Sequence, residues 1–287
     1  MQTLNKQPER SVEEIRKNLH IISIVDDTVF GRAALAHAFT FARIFNASLS
    51  VIEPYKENIS ISISEYISEL NKVYPTDKKT NIIFPKINCK PNNSYFKYAE
   101  ETNTIIIVMG ASRTKGETLF THKSALKFIQ KSRIPCVLCG KTLPNENAYK
   151  NILLPLDALR PSKEKSLWAG YFSRFYKSTV HIITATQKDE YFKTRLSRTL
   201  DFTLKLYANL EIDYKIHEVG KIEKEIDEFA LEFSPNINGS LLVLTTTRFF
   251  TIIDYILGPA ELKIISNKED IPVMCLNQRD DLYVLCT

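Results

Sequence analysis

Glycine is scarce in this sequence, with only 8 glycines among 287 residues. Loops that wrap phosphate groups depend on glycine, because their backbone N–H groups must approach the ligand without an intervening side chain. The patterns G-x-x-x-x-G-K-[ST] and G-x-G-x-x-G are both absent, and so is H-E-x-x-H. The sequence also has no nucleophile elbow and no paired-carboxylate motif. It therefore argues against the common phosphate-loop, dinucleotide and zinc enzymes, and we predict no catalytic residues.

Long apolar runs are missing as well. The run at 104–109 (TIIIVM) is far shorter than the roughly 20 residues needed to span a bilayer. Residues 1–16 are polar and mixed in charge, unlike a secretion signal. These features predict a cytoplasmic chain with no membrane partner.

The cysteines are few and odd in number, which fits a reducing compartment. They are Cys89, Cys136, Cys139, Cys275 and Cys286. Cys136 and Cys139 have C-x-x-C spacing, but they lie in an apolar segment typical of a strand, where residues three apart point to opposite faces. No second ligand pair is present, and the five histidines show no ligand spacing. We predict buried structural thiols and no metal site.

Positive charge is concentrated in the first half. Residues 1–145 hold 20 Lys+Arg and 13 Asp+Glu, a net charge of +7, whereas residues 146–287 hold 18 and 20, a net charge of −2. A basic half is compatible with a nucleic acid or an anionic ligand. The basic residues are scattered rather than clustered beside aromatics, however, so we interpret them as solvated surface and expect no nucleic-acid partner.

The same order of elements occurs twice along the chain. In the first half, an apolar run at 20–25 (HIISIV) ends at Asp26 and precedes a helical pattern over 33–45. In the second half, a run at 151–156 (NILLPL) ends at Asp157 and precedes a helical pattern over 163–176. Further matching patterns follow in each half. The first half has strands at 48–52, 81–87, 104–109 and 134–138 and a helix at 94–101. The second half has strands at 179–184, 211–217, 240–244 and 271–276 and a helix at 222–233.

Strands that alternate with helices and read as continuous apolar runs are typical of parallel sheets. The sequence therefore predicts the α/β class, with two tandem doubly wound parallel-sheet domains. The polar segment 141–150 (KTLPNENAYK) is the predicted linker, which gives domains at 1–142 and 143–287. A capping box at 11–14 (SVEE) predicts a short helix before the first strand. The apolar tail at 281–287 predicts an extra C-terminal strand.

This arrangement resembles the universal stress protein family. The resemblance rests on a strand closed by Asp26 with Thr28 two residues later, on a fourth strand that runs into Met109 and Gly110, and on an Ile-Pro-Cys-Val strand after the next helix. The ordered set occurs in both halves and covers nearly the whole chain. It implies a tandem member of the family with the adenine-nucleotide-hydrolase-like fold, and it places Asp26 at the position that lies beside the nucleotide in ATP-binding members.

Some members of the family bind ATP through the pattern G-x-x-G, nine residues, then G-[ST]. Aligned without gaps, the second half has Thr245, Arg248, Gly258 and Pro259 at the four positions, and Pro259 offers neither a hydroxyl nor an N–H group. The first half keeps the leading glycine and the final serine but replaces the other two glycines by basic residues. In the first half the resemblance implies these cofactor-binding candidates: Asp26, Thr28, Gly110, Ser112, Arg113, Lys123 and Ser124.

The basic replacements have two interpretations. Arg113, Lys123 and Arg248 could bind phosphate through their side chains, or their bulk could fill a pocket that is no longer used. We favour filling in both halves, so the leading hypothesis is a non-catalytic stress-response or regulatory module with no cofactor, acting through a partner or a weakly held ligand. The alternative is weak ATP binding in the first domain, with or without slow hydrolysis. An enzyme of a related α/β nucleotide-binding class is the third hypothesis.

The last strand of each half indicates how the two halves pair with each other. Pro135 and Pro272 lie near the starts of these apolar strands and suit edge positions, where a missing N–H group is tolerated. An exposed apolar edge favours aggregation, so we expect it to be covered. The resemblance implies that the two halves pair as an intramolecular pseudo-dimer. A homodimer and an unidentified protein partner stay open.

Overall fold

A computed structural model describes residues 19–54, 59–73, 80–87, 93–158, 163–220, 225–246 and 259–277. Several sequence predictions therefore fall outside the described residues. These are the helix at 11–14, the C-terminal strand at 281–287, the thiols of Cys89 and Cys286, and the second-half positions Arg248 and Gly258. Within the described residues, no helix is long and apolar enough to cross a membrane.

The first half contains six strands and four helices among its described residues. They are β1 (His20–Ile24), α1 (Val29–Phe45), β2 (Ser48–Ile52), α2 (Ile61–Val73), β3 (Ile82–Ile83), α3 (Asn93–Glu101), β4 (Thr104–Ser112), β5 (Phe120–Thr121), α4 (His122–Ile129) and β6 (Cys136–Cys139). The third strand is much shorter than the predicted 81–87, because its side chains are only half-buried and it lies at the edge of the sheet.

The second half contains five strands and four helices among its described residues. They are β7 (Asn151–Pro155), α5 (Lys163–Tyr176), β8 (Thr179–Ala185), α6 (Glu190–Asn209), β9 (Tyr214–Val219), α7 (Ile226–Phe233), β10 (Leu241–Thr246), α8 (Ala260–Ile265) and β11 (Val273–Asn277), with a 3₁₀ turn at Ser234–Ile237 after α7. The helices α2 and α6, which join the second and third strands of each half, were not identified from the sequence.

The strand order confirms the predicted fold class. The ten principal strands form one sheet in the order β3-β2-β1-β4-β6-β11-β10-β7-β8-β9, and the pairs within each half are parallel. Counted from the first strand of each half, both halves have the doubly wound order 3-2-1-4-5. Apolar residues of each central strand divide between two core clusters, one with α1, α2, α5 and α6 and the other with α3, α4, α7 and α8. Helices therefore cover both faces of the sheet.

One antiparallel pair joins the two halves. Strands β6 and β11 run in opposite directions, with Leu138 opposite Val273 and Cys136 opposite Cys275. Both strands are fully buried, and each has a parallel neighbour of its own half on its other side. The two cysteines of the C-x-x-C segment lie in different core clusters, as strand alternation requires. Burial raises the pKa of Cys136 to about 12.

Polar side chains fix the two ends of this β6–β11 seam. At one end, Asn277 donates through its side-chain amide to the carbonyls of Ile129 and Ser132, the latter at 2.7 Å, and accepts a short bond from the Thr246 hydroxyl. At the other end, the Asp270 carboxylate accepts N–H bonds from Lys141 at 3.0 Å and Thr142 at 2.7 Å. The bonds from Asn277 to the two carbonyls and from Lys141 and Thr142 to Asp270 each link residues more than 100 positions apart.

The segment that follows β6 is held by a buried histidine. His37 Nε2 donates to the Thr142 carbonyl at 2.9 Å, and its Nδ1 accepts a short hydrogen bond from the Tyr149 hydroxyl. His37 must be neutral to do both, because a protonated ring has no acceptor. Burial lowers the pKa of His37 to about 4, although the Thr142 carbonyl and the Asp270 carboxylate act in the opposite direction.

Replacing Asn277 should destabilise the protein. In Asn277→Ala, the carbonyls of Ile129 and Ser132 lose their side-chain donor inside the core, and we expect the free energy of unfolding to fall by about 2 kcal/mol. Urea unfolding followed by circular dichroism measures the change. Asn209→Ala, at the exposed end of α6, is the matched control and should change it by less than about 0.5 kcal/mol. Equal effects of the two substitutions would contradict this role for Asn277.

Acid should weaken the protein through His37. Its folded pKa of about 4 lies below the ordinary value of 6.5, so between those pH values the unfolded chain binds a proton that the folded protein does not. The stability that the protein gains from a neutral His37 is complete above pH 6.5 and is lost as the pH falls. At pH 4 the loss is about 3 kcal/mol. His37→Gln should remove this part of the loss while keeping a donor for Thr142. Unfolding curves from pH 4 to 7 test this, and parallel pH profiles for the two proteins would show that His37 does not titrate as argued.

Candidate functional site

The candidate site lies where the strand order of the first half reverses. In open α/β sheets, ligands bind beyond the carboxyl ends of the strands at such a switch point. In the first half this point lies between β1 and β4, which pair along all of β1, from His20 opposite Thr104 to Ile24 opposite Met109. Asp26 and Thr28 follow β1, while Gly110 and Ser112 end β4. The fold therefore brings four of the seven predicted residues to one edge.

Asp26 is the centre of a hydrogen-bond cluster at this edge. Its Oδ1 accepts a bond of 2.6 Å from the Thr28 hydroxyl. Its Oδ2 accepts a bond of 2.8 Å from the Thr118 hydroxyl and another from the Leu119 N–H group. Thr28 is also the N-cap of α1 and accepts from the Gly31 N–H group at 3.2 Å. Protein donors therefore reach both oxygens of the Asp26 carboxylate.

Gly110 is required by packing between β4 and α1. A Cβ atom added at this position would lie 2.4 Å from the Phe30 carbonyl oxygen and 3.1 Å from the Gly31 nitrogen. Real Cβ atoms do not approach backbone atoms at 2.4 Å, so any other residue would displace the first turn of α1. In this protein the missing side chain of Gly110 makes room for the first turn of α1, whereas in the family pattern the glycine makes room for a phosphate.

Ser112 and Arg113 are engaged by other parts of the protein. The buried Ser112 hydroxyl donates to the Thr114 carbonyl at 2.8 Å. Arg113 is exposed, and its Nη2 donates to the carbonyl of Ser266, in the second half, at 2.6 Å. The described hydrogen bonds of Asp26 do not include Arg113, and both interpretations of Arg113 stay predictions.

Lys123 and Ser124 lie in the first turn of α4 and are both exposed. The helix is capped by Thr121, whose hydroxyl accepts from the Ser124 N–H group at 3.2 Å, while the Ser124 hydroxyl donates to the Thr121 carbonyl at 3.0 Å. The described contacts of Asp26 include neither residue. His122, beside them, has its pKa lowered by burial and by the nearby Arg113 charge, against the effect of Asp270.

The second half differs at the equivalent point. Strands β7 and β10 pair only at Ile152–Leu241 and Leu153–Leu242, and then separate although both continue. Lys165, in the first turn of α5, forms an ion pair of 3.5 Å with Asp227, in the first turn of α7. Their side chains are 0% and 3% exposed.

This buried ion pair joins helices from opposite faces of the sheet. The buried apolar residues of α5 belong to one core cluster and those of α7 to the other. The first turn of α5 follows β7 and the first turn of α7 follows β9, so the pair lies beyond the carboxyl ends of strands in the second half. A ligand at this point would have to displace two buried charges. Nearby Thr245 is buried, and Pro259 precedes α8 without a side-chain capping bond.

Sequence reasoning missed Thr118, Leu119, Lys165 and Asp227. Thr118 and Leu119 belong to a loop 92 and 93 positions after Asp26, with no local pattern that indicates the contact. Lys165 and Asp227 are ordinary residues for the first turns of surface helices. Only the tertiary contact turns them into a buried pair.

The chain is similar over most of its length to universal stress proteins of known structure. A universal stress protein from Archaeoglobus fulgidus DSM 4304 is 14% identical, with 91% of this chain and 97% of that chain covered and a TM-score of 0.62. A protein from Pseudomonas aeruginosa UCBPP-PA14, provisionally named a universal stress protein, is 16% identical, with 94% and 97% covered and a TM-score of 0.56. The cytoplasmic domain of a prokaryotic cation chloride cotransporter is 12% identical, with 93% and 98% covered and a TM-score of 0.52.

These similarities confirm the predicted resemblance at the level of the fold: the chain has the universal stress protein fold. No protein-family model matches the sequence, and no curated protein is significantly similar to it. The same fold occurs in a transporter's cytoplasmic domain. Because one fold serves several tasks, function has to be argued from the site.

The buried pair Lys165–Asp227 gives a stability prediction. Lys165→Met should cost about 3 kcal/mol of unfolding free energy, because it leaves the Asp227 charge buried without its cation. The double variant Lys165→Met/Asp227→Leu should cost less than the sum of the two single variants. Chemical unfolding of all three measures the coupling.

The exposed pair Lys193–Glu190, at 3.3 Å, is the matched control. Its own cycle should give a coupling below about 0.5 kcal/mol, because solvent screens both groups. Additive effects at Lys165 and Asp227 would show that the two charges do not interact as described.

Proposed function

We propose that this chain is a non-catalytic regulatory module of universal stress protein type, which acts through a protein partner or a weakly held ligand. The observation that carries the proposal is that protein groups already donate hydrogen bonds to both oxygens of the Asp26 carboxylate. Its carboxylate, which the resemblance places beside a nucleotide, accepts hydrogen bonds from Thr28, Thr118 and Leu119. A ligand that uses Asp26 must compete with groups of the protein itself, and that competition lowers its affinity.

The second half supports the same proposal. The buried pair Lys165–Asp227 joins the first turns of α5 and α7 beyond the carboxyl ends of its strands, and breaking such a pair costs about 3–5 kcal/mol. An unfavourable term of that size would weaken a ligand by two orders of magnitude or more. A reducing compartment such as the cytoplasm is part of the proposal, and the free thiols of Cys136, Cys139 and Cys275 are compatible with it.

A second candidate function is nucleotide binding by the first half alone. It is favoured by the location of Asp26, Thr28 and Gly110 together at the switch point between β1 and β4. In this case the loop that carries Thr118 would move to admit the ligand. Slow hydrolysis would then be measurable as phosphate release.

Calorimetric titration with Mg-ATP separates the two candidates. For the regulatory module we expect a dissociation constant weaker than about 100 μM. A value of about 1 μM or below would contradict it and establish the nucleotide-binding alternative. Thr118→Val removes a competing donor from Asp26 at nearly constant volume, so it should strengthen any binding at this site. Thr114→Val, in the same loop and exposed, is the control and should have no effect.

A further inference from the structure

The loop over Asp26 is closed at its base. We define the Asp26 loop as residues 112–121, which comprise the last residue of β4, the connection 113–119 and β5. Its two ends, Ser112 and Thr121, pair with each other, and the preceding residue Ala111 pairs with Phe120. Within it, the Ser112 hydroxyl holds the Thr114 carbonyl at 2.8 Å. The paired base and this hydrogen bond therefore connect the two limbs of the loop.

The Asp26 loop has two attachments outside itself. Thr118 and Leu119 donate to the Asp26 carboxylate, in the candidate site. Arg113, on the opposite limb, donates to the carbonyl of Ser266 in the second half. Ser266 is the C-cap of α8, where the terminal carbonyls have no partner within the helix. Arg113 supplies a charged donor to one of them.

The Arg113–Ser266 contact lies where helices of the two halves meet. Helix α4, which follows the loop, packs against α8 across the seam. Arg113 lies close enough to His122, in the first turn of α4, for its charge to lower the pKa of His122 together with burial, while Asp270 of the second half acts in the opposite direction.

We propose that Arg113 is a positioning residue that couples the Asp26 site to the second half. A ligand that takes over the Asp26 carboxylate has to move Thr118 and Leu119, and the closed loop then carries Arg113 away from Ser266. Occupancy of the site would release the end of α8, and loss of the contact with α8 would favour an open site. This inference rests on the proposed function, since it gives the weakly held ligand a structural consequence.

Amide hydrogen exchange of the full chain tests the coupling without any ligand. In Arg113→Gln, the Leu119 amide should exchange about fivefold faster than in the wild type, the effect of losing one net hydrogen bond. By reciprocity, Thr118→Val should speed exchange of the Ser266 amide, which donates to the Leu262 carbonyl, by a similar factor. Lys115→Gln removes the same charge from an exposed position of the same loop and is the matched control. Exchange of the Leu119 amide at the same rate in Arg113→Gln and Lys115→Gln would overturn the proposal.

Titration with Mg-ATP distinguishes a coupling role of Arg113 from a phosphate-binding role, because the two roles predict opposite changes in affinity. If Arg113 couples the site to the second half, Arg113→Gln should bind the nucleotide more tightly than Lys115→Gln does. If Arg113 is a phosphate ligand, as the aligned motif suggested, Arg113→Gln should bind more weakly, and the coupling role is wrong. Absence of binding in every variant removes this ligand from the proposed function, and the exchange result still decides the coupling.

Discussion

The antiparallel pairing of β6 with β11 is the constraint on which the rest of the structure depends. Each half ends in a short apolar strand that would be an open edge if the half stood alone. Joining the two edges buries both and turns two five-stranded sheets into one sheet of ten principal strands. Rings of Phe41 and Phe45, on α1, also meet Phe172, on α5, on one face of the sheet, which adds a hydrophobic contact between the halves.

Once the halves are joined, residues that belong to one half complete the other. Asp270 accepts the backbone N–H groups of Lys141 and Thr142, and Asn277 holds the carbonyls of Ile129 and Ser132. Gly140 has no room for a side chain, because an added Cβ would lie 1.5 Å from Asp270 Oδ1. The first-half site shares this dependence, since its loop reaches the second half through Arg113. At the junction, side chains of each half therefore satisfy polar groups of the other.

The two switch points share a topology but are filled in different ways. Where β1 and β4 stay paired, the carboxylate of Asp26 remains at the surface edge and is closed over by a polar loop. In the second half, β7 and β10 pair at only two positions, and the buried pair Lys165–Asp227 joins the helices on the two faces of the sheet. A loop held by a few hydrogen bonds opens at a cost of a few kcal/mol, whereas a buried ion pair resists replacement by any single ligand group. This difference is why the first half is the better candidate for a regulated site.

The sequence by itself determined the fold class, the double occurrence of the strand pattern and the location of Asp26 at a strand end. These follow from local chemistry: continuous apolar runs such as 104–109 are buried on both faces of a parallel sheet, and polar residues close them. Only the tertiary structure decided the roles of the site residues. Thr118 contacts Asp26 at a distance of 92 positions along the chain, and Arg113 contacts Ser266 at 153 positions. Lys165 and Asp227 are 62 positions apart, from 165 to 227. Such contacts leave no periodic or compositional trace, because the partner of a polar side chain is chosen by packing in three dimensions rather than by its neighbours in sequence.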